Sequence, residues 1–71
     1  MKKELLVRFG ERIRILRKER DWSQEKLAEK TGFHRTYIGM IERGERNLSL
    51  SNINVFALAF RISISELLID L

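Results

Sequence analysis

The reading turns on Ser23–Gly44, SQEKLAEKTGFHRTYIGMIERG. Ser23 is a good N-cap, because its hydroxyl can accept from the free amides of the turn that follows. Trp22 before it and Leu27 after it stand at the positions of a hydrophobic staple. A helix is therefore expected over about 24–31, with Leu27 and Ala28 turned inward. Gly32 then falls where a left-handed C′ residue is expected. Phe33 and Ile38 repeat the staple spacing around His34, which is a poor N-cap by residue type. They place the next helix at about 35–43, ended by Gly44. Ile38 and Ile41 form its one apolar edge. Its first turn is Arg35, Thr36 and Tyr37, three residues with little reason to be buried. Two short helices are thus joined by a three-residue turn containing glycine.

Working outward, Leu6, Phe9, Ile13 and Leu16 step by three, four and three residues. They make one apolar stripe on a helix of about 3–20, with Arg8, Arg12, Arg14 and Lys18 mostly off it. On the other side, a polar loop runs from Gly44 to Asn47. A fourth helix starts near Ser49 or Ser51, since both cap spacings fit, and carries the stripe Ile53, Phe56, Ala57 and Phe60. Ser63 with Glu66 forms a capping box, and Ile62 with Leu67 a staple, so a last short helix runs to the C-terminus. No segment alternates convincingly with period two, and there is no proline. The fold class expected is all-α, with five helices in a single domain over residues 1–71.

A chain of 71 residues is one small domain. It buries only roughly 60% of its unfolded surface, so it is marginal unless its helices are well capped or it oligomerises. There is no cysteine, hence no disulfide or thiolate metal site, and the single histidine, His34, cannot build a metal site alone. No cofactor is expected. No run approaches the ~20 apolar residues of a membrane span. The start, MKKELLVRF, has two lysines, but Glu4, Arg8 and Glu11 interrupt any signal-peptide core. A soluble, cytoplasmic protein is expected. With no cysteine, one histidine, no paired-acid pocket and no Gly-rich phosphate loop, no reaction can be assembled, so the chain is not expected to be an enzyme.

The net charge is +4, and it is unevenly spread. Residues 1–20 carry eight Lys/Arg and three Glu, whereas residues 62–71 carry no Lys/Arg and two acids, Glu66 and Asp70. A basic excess suits a polyanion such as nucleic acid, because each neutralised phosphate releases counterions. Single-stranded RNA is disfavoured, since the aromatic platforms that stack bases are missing.

The paired short helices are a helix-turn-helix arrangement. In such a module the second helix lies in the major groove of double-stranded DNA, with its N-terminal residues at base edges. Arg35 can offer a bidentate fork to guanine, Thr36 a hydrogen bond or its methyl to a thymine methyl, and Tyr37 a contact to phosphate, sugar or base edge. Phosphate positioning needs donors on both sides of that helix. Gln24 stands on one side, and Arg43, Arg46, Asn47, Ser51 and Asn52 on the other. Asn47 could instead satisfy only the loop backbone. Glu42 and Glu45 carry the wrong charge for DNA and are expected to pair with Arg43 or Arg46, or with Arg12 or Arg17. One helix reads few base pairs, so a homodimer with half-sites about one turn apart is expected. Leu67, Leu68, Ile69 and Leu71 crowd the C-terminus. Leu67 is expected to close the core, and Leu68 and Leu71 to meet a second copy together with parts of the fourth helix or the turn between the fourth and fifth helices.

The string SQEKLAEKTGFHRTYIGMIERG resembles the core of the Cro/C1-type (XRE-like) helix-turn-helix family, and the likeness extends over about Phe9 to Leu68. HRTYIGMIERGERNLSLSNI is similar to one branch, the controller proteins of restriction–modification systems, through RTYI, IERG and the R-N-L-S after it. The resemblance implies a five-helix, lambda-repressor-like domain that binds palindromic operator DNA as a homodimer. It puts Arg35, Thr36 and Tyr37 on base-reading positions and Gln24, Arg43, Arg46, Asn47 and Asn52 on backbone-touching ones. The closer branch implies binding upstream of its own gene and the endonuclease gene, activating at low occupancy and repressing at higher occupancy. RNA polymerase would be the further partner when it activates. The alternatives are a phage-type or chromosomal repressor, or an antitoxin-type protein-interaction module.

Overall fold

The computed structural model describes residues 2–71. Five helices follow in order: α1 Lys3–Glu19, α2 Gln24–Thr31, α3 Arg35–Glu42, α4 Leu50–Phe60 and α5 Ile64–Leu67. No strand occurs among the described residues.

Side-chain caps fix most of the boundaries. Ser23 Oγ accepts from the Lys26 amide at 3.0 Å, where serine at the N-cap was expected. Ser49 Oγ accepts from the Asn52 amide at 3.1 Å, so Ser49 caps α4 and Ser51 lies exposed in its first turn. Ser63 and Glu66 close a reciprocal capping box on α5. His34 departs from the expectation from its type. Its Nδ1 accepts from the Thr36 amide at 3.1 Å, so an imidazole nitrogen does the work of a capping oxygen. Gly32 takes the left-handed conformation at φ 80° that ends α2. Thr31 locks the same turn: its hydroxyl donates to the Leu27 carbonyl at 2.9 Å and accepts from the Phe33 amide at 3.1 Å.

The stripes read from the sequence converge on one core. Phe9, Ile13 and Leu16 of α1, Leu27 of α2, Ile38 and Ile41 of α3, Ile53, Phe56, Ala57 and Phe60 of α4, and Leu67 of α5 form a single buried cluster. Phe56 meets the rings of Phe9 and Phe33, at 6.3 and 5.4 Å between centroids. Fully burying a side chain of this size contributes about 1.5–3 kcal/mol. Leu67 closes the core from the last helix with no exposed surface.

Two glycines let α1 lie against the end of α3. A Cβ on Gly10 would stand 2.3 Å from the Ile41 carbonyl oxygen and 2.7 Å from that of Glu42. A Cβ on Gly44 would stand 2.8 Å from Val7 Cα, and its φ is 72°. Beside this contact Arg17 is buried. It donates Nε to Glu42 Oε2 at 2.7 Å and Nη2 to Oε1 at 3.0 Å, and Nη1 to the Trp22 carbonyl at 2.8 Å. Among the partners foreseen for Glu42, the structure selects Arg17.

Other arginines on and just after α1 are also tied to the protein. Arg12 donates to the carbonyls of Glu66 at 2.8 Å and Leu67 at 3.3 Å. Arg8 donates to the Asp70 carbonyl. Arg20 bridges the Leu16 and Phe60 carbonyls, each at 2.9 Å, and so ties the ends of α1 and α4 together. Half the basic charge counted in the first twenty residues is therefore structural.

Candidate nucleic-acid interface

The first turn of α3 stands out from this scaffold. Arg35 and Thr36 are exposed. The Thr36 amide is held by the His34 cap, which fixes the direction of the turn. Arg35 Nε donates to Glu25 Oε2 at 2.8 Å, so the first turns of α2 and α3 are linked across their mouths. Glu25 is shifted toward its charged form. Its own backbone amide holds its carboxyl below the ordinary glutamate range, and the charge and hydrogen bond of Arg35 act in the same direction.

Tyr37 is not the free side chain that the sequence suggested. It is half-buried, edge-on to Phe33 with centroids 4.9 Å apart. Its hydroxyl accepts from Asn52 Nδ2 at 3.1 Å, and the Arg46 guanidinium lies over its ring at 5.6 Å. The physical reason is its place on α3: it sits next to the apolar edge, where a large ring can cover Phe33 and keep only its polar tip available.

The positions assigned to phosphate fall around this turn with different degrees of freedom. Arg43, Arg46, Asn47 and Ser51 are exposed, whereas Gln24 and Asn52 are half-buried. Gln24 Nε2 donates to Glu42 Oε1 at 3.1 Å, which anchors it to the Arg17 pair. Arg43 pairs with Glu45 at 3.1 Å, as foreseen for Glu45. Gly39 is buried, and a Cβ there would stand 3.1 Å from Arg43 Nη1 and 3.8 Å from Gln24 Oε1. Gln24 and Arg43 therefore flank the bare second turn of α3. The N-terminal amides of α2 and α4 add further donors suited to phosphate.

Two contributors escaped the sequence reading. Glu25 carries no local signal, because its partner is ten residues away. Phe33 was read only as a staple, yet it supports the Tyr37 ring. Leu68 and Leu71, the residues expected to meet a second copy, are half-buried and line an apolar cavity of about 300 Å³ with Leu5, Phe9 and Ile53. Among the described residues no group of three His, Cys, Asp or Glu side chains could hold a metal ion, and no helix is long and apolar enough to cross a membrane.

The helix-turn-helix family profile matches residues 13–67. The chain belongs to the helix-turn-helix family. Within it, this helix-turn-helix protein falls in the branch of restriction–modification control proteins. It is 47% identical over 66 residues to the control protein C.SmaI of Serratia marcescens, an overlap of 93% of this chain and 75% of that one. Its fold superposes on the crystal structure of the restriction–modification controller protein C.AhdI from Aeromonas hydrophila with a TM-score of 0.83, at 50% identity over 87% of this chain and 94% of that one. It also superposes on the controller protein C.Esp1396I, solved as a tetramer in complex with its natural 35 base-pair operator. There the TM-score is 0.81, at 35% identity over 92% and 90% of the two chains.

Proposed function

We propose that this helix-turn-helix protein is the controller of a restriction–modification system, a DNA-binding transcriptional regulator that acts on palindromic operators as a homodimer. The observation that carries the reading is the exposed first turn of α3, with Arg35 and Thr36 free of the core and held on a buried frame. Arg35 reads a guanine through its fork, and Thr36 reads the neighbouring base pair. Tyr37 works from its hydroxyl end, while its ring stiffens the turn. Gln24, Arg43, Arg46, Asn47, Ser51 and Asn52 set register on the sugar–phosphate backbone.

A single module of this size discriminates poorly against a genome of competing sites, so two copies about one helical turn apart supply the specificity. Leu68 and Leu71 form the shared surface. The similarity to control proteins supports binding upstream of its own gene and the endonuclease gene, activating through RNA polymerase at low occupancy and repressing at higher occupancy. The protein acts in the cytoplasm and performs no catalysis.

The test is selection of bound duplexes from a random pool at physiological salt. A palindrome with half-sites about one turn apart is expected, and its occurrence upstream of an endonuclease gene supports the controller role. Recovery of no consensus overturns specific reading.

A further inference from the structure

Glu25 stands at the first turn of α2, exposed, with a carboxylate that faces the side of the protein assigned to a polyanion. A negative charge there repels phosphate from every DNA sequence alike. Glu25 lies outside the core, and its place in the first turn of α2 suits the helix N-terminus without calling for a reach toward α3. Among the described residues its ion-pair partner across the helix-turn-helix is Arg35, by a contact to Nε at 2.8 Å.

We infer that Glu25 is a specificity-determining positioning residue, which grips Arg35 by Nε and so presents its two terminal nitrogens to a base edge while keeping the guanidinium off the phosphates. The inference rests on the reading of Arg35 as a base contact. Three physical points support it. An arginine has five N–H donors in a rigid plane, and occupying Nε fixes that plane without using the Nη fork that pairs with guanine O6 and N7. A long exposed arginine at a groove edge has phosphates within reach on both sides, and any of them is a partner that carries no sequence information. A carboxylate in contact with the guanidinium offsets part of that general attraction, even in an exposed pair, whereas guanine still offers two acceptors to the free end. The Glu25 amide first, and then Arg35 and Arg17, draw this carboxyl toward its charged form. The neighbouring acid, Glu29, is occupied with Lys26 at 3.4 Å and does not compete for Arg35.

The predicted signature separates affinity from specificity. Glu25 lowers the affinity for all DNA and raises the ratio between operator and random sequence.

The experiment measures binding of the full chain to a selected operator duplex and to a random duplex over a salt series, for wild type, Glu25→Gln, Glu25→Asp, Arg35→Ala and Glu25→Gln/Arg35→Ala. Glu25→Gln should bind random duplex more tightly, with a salt slope steeper by about 0.9 as Arg35 gains a phosphate. The operator-to-random ratio should fall by about five- to tenfold, the lower part of the range for one bidentate base contact. Glu25→Asp keeps the charge but cannot reach Nε in the same geometry, so the ratio should fall with little change in slope. In the Arg35→Ala background, Glu25→Gln should raise binding to both duplexes equally and leave the ratio unchanged. An unchanged ratio in Glu25→Gln with Arg35 present would overturn the inference, and so would an equal fall in the absence of Arg35. If wild type itself shows no preference among duplexes, the base-reading role fails first, and the inference falls with it. Circular dichroism should show native helix content in each variant, since Glu25 lies outside the core; loss of helix content in both Glu25 variants would make its role one of folding and also refute the inference.

Discussion

Removing Glu42 should leave Arg17 as a buried charge without its counter-ion. The two side chains retain only 10% and 5% of their exposure, so solvent screening weakens the pair little. Glu42→Ala deletes the contacts at 2.7 and 3.0 Å to Arg17 and the 3.1 Å contact from Gln24. Hydrogen bonds to charged groups contribute about 1.5–3 kcal/mol each, and breaking one side of a buried pair typically costs about 3–5 kcal/mol. A cost of about 4 kcal/mol follows. A domain of this length holds about 4–10 kcal/mol in total, so the variant should lose close to half or more of its stability. In melting temperature that is a fall of about 15–30 °C. Urea denaturation followed by far-ultraviolet circular dichroism measures it directly. Arg17→Met should cost a similar amount, and Arg17→Met/Glu42→Leu much less than the sum, because the second change removes the charge orphaned by the first. The residual cost of the double variant, about 1–3 kcal/mol, is that of the unpaired Trp22 carbonyl and Gln24 amide. A cost under about 1 kcal/mol for Glu42→Ala, or costs that simply add in the double variant, would refute the view that this pair holds α1, α2 and α3 together.

Gly10→Ala should destabilise by about 1–3 kcal/mol in the same assay, although alanine is the better helix former by about 1 kcal/mol, because the new methyl meets two carbonyls; a gain in stability would mean that α1 and α3 are further apart. His34→Asp should stabilise α3 by about 0.5–1 kcal/mol through a better cap, yet weaken binding to all DNA by adding negative charge near the backbone. Thermal melts and gel shifts on one preparation read both effects, and unaltered DNA binding would place His34 away from phosphate. Arg35→Ala should cost about 1–3 kcal/mol on the operator and relax one base pair, whereas an equal loss on random DNA would sink its base-reading role. The same substitution should raise the titration midpoint of Glu25 in carboxyl nuclear magnetic resonance. The ion pair is complete at and above the ordinary glutamate range and is lost as pH falls through the lowered midpoint. Leu68→Arg should sediment as a monomer and bind operator weakly; a persisting dimer would move the shared surface elsewhere.

Features set by near neighbours in the chain were legible in advance. Ser23, Gly32 and the Ser63–Glu66 box obey rules that span a single turn, and the α1 and α4 stripes follow from helical period. Features set by distant backbone were not. Gly10 reads in sequence as a weak point in a helix, and only the carbonyls of Ile41 and Glu42 give it a purpose. Arg8 and Arg20 read as charge for a polyanion and Arg12 as one candidate partner for Glu42, yet all three bind backbone carbonyls, as far off as the C-terminal turn. His34 falls at the cap position that the staple spacing gives it, but that its side chain caps the helix is not legible, because capping preferences are averages over residue types and an imidazole nitrogen can accept when the turn aims it correctly. Tyr37 stands on the first turn of α3, where the spacing puts it, but the seating of its ring against Phe33 has no local signal. Sequence gives position along a helix more readily than the depth to which a large ring settles.

The close seating of α1 on α3 has a consequence for lineage. Gly10, Gly44, Thr31 and the Arg17–Glu42 pair determine where α3 lies, and none of them is on its outward first turn. Arg35 and Thr36 lie outside the core, so substitutions at these two positions should cost folding little beyond the exposed Arg35–Glu25 contact. With Arg35 and Thr36 as the proposed base contacts, a regulator built this way can drift to a new address through viable intermediates. On that proposal, one or two substitutions would separate the operators of two sister copies, with the frame beneath them unchanged.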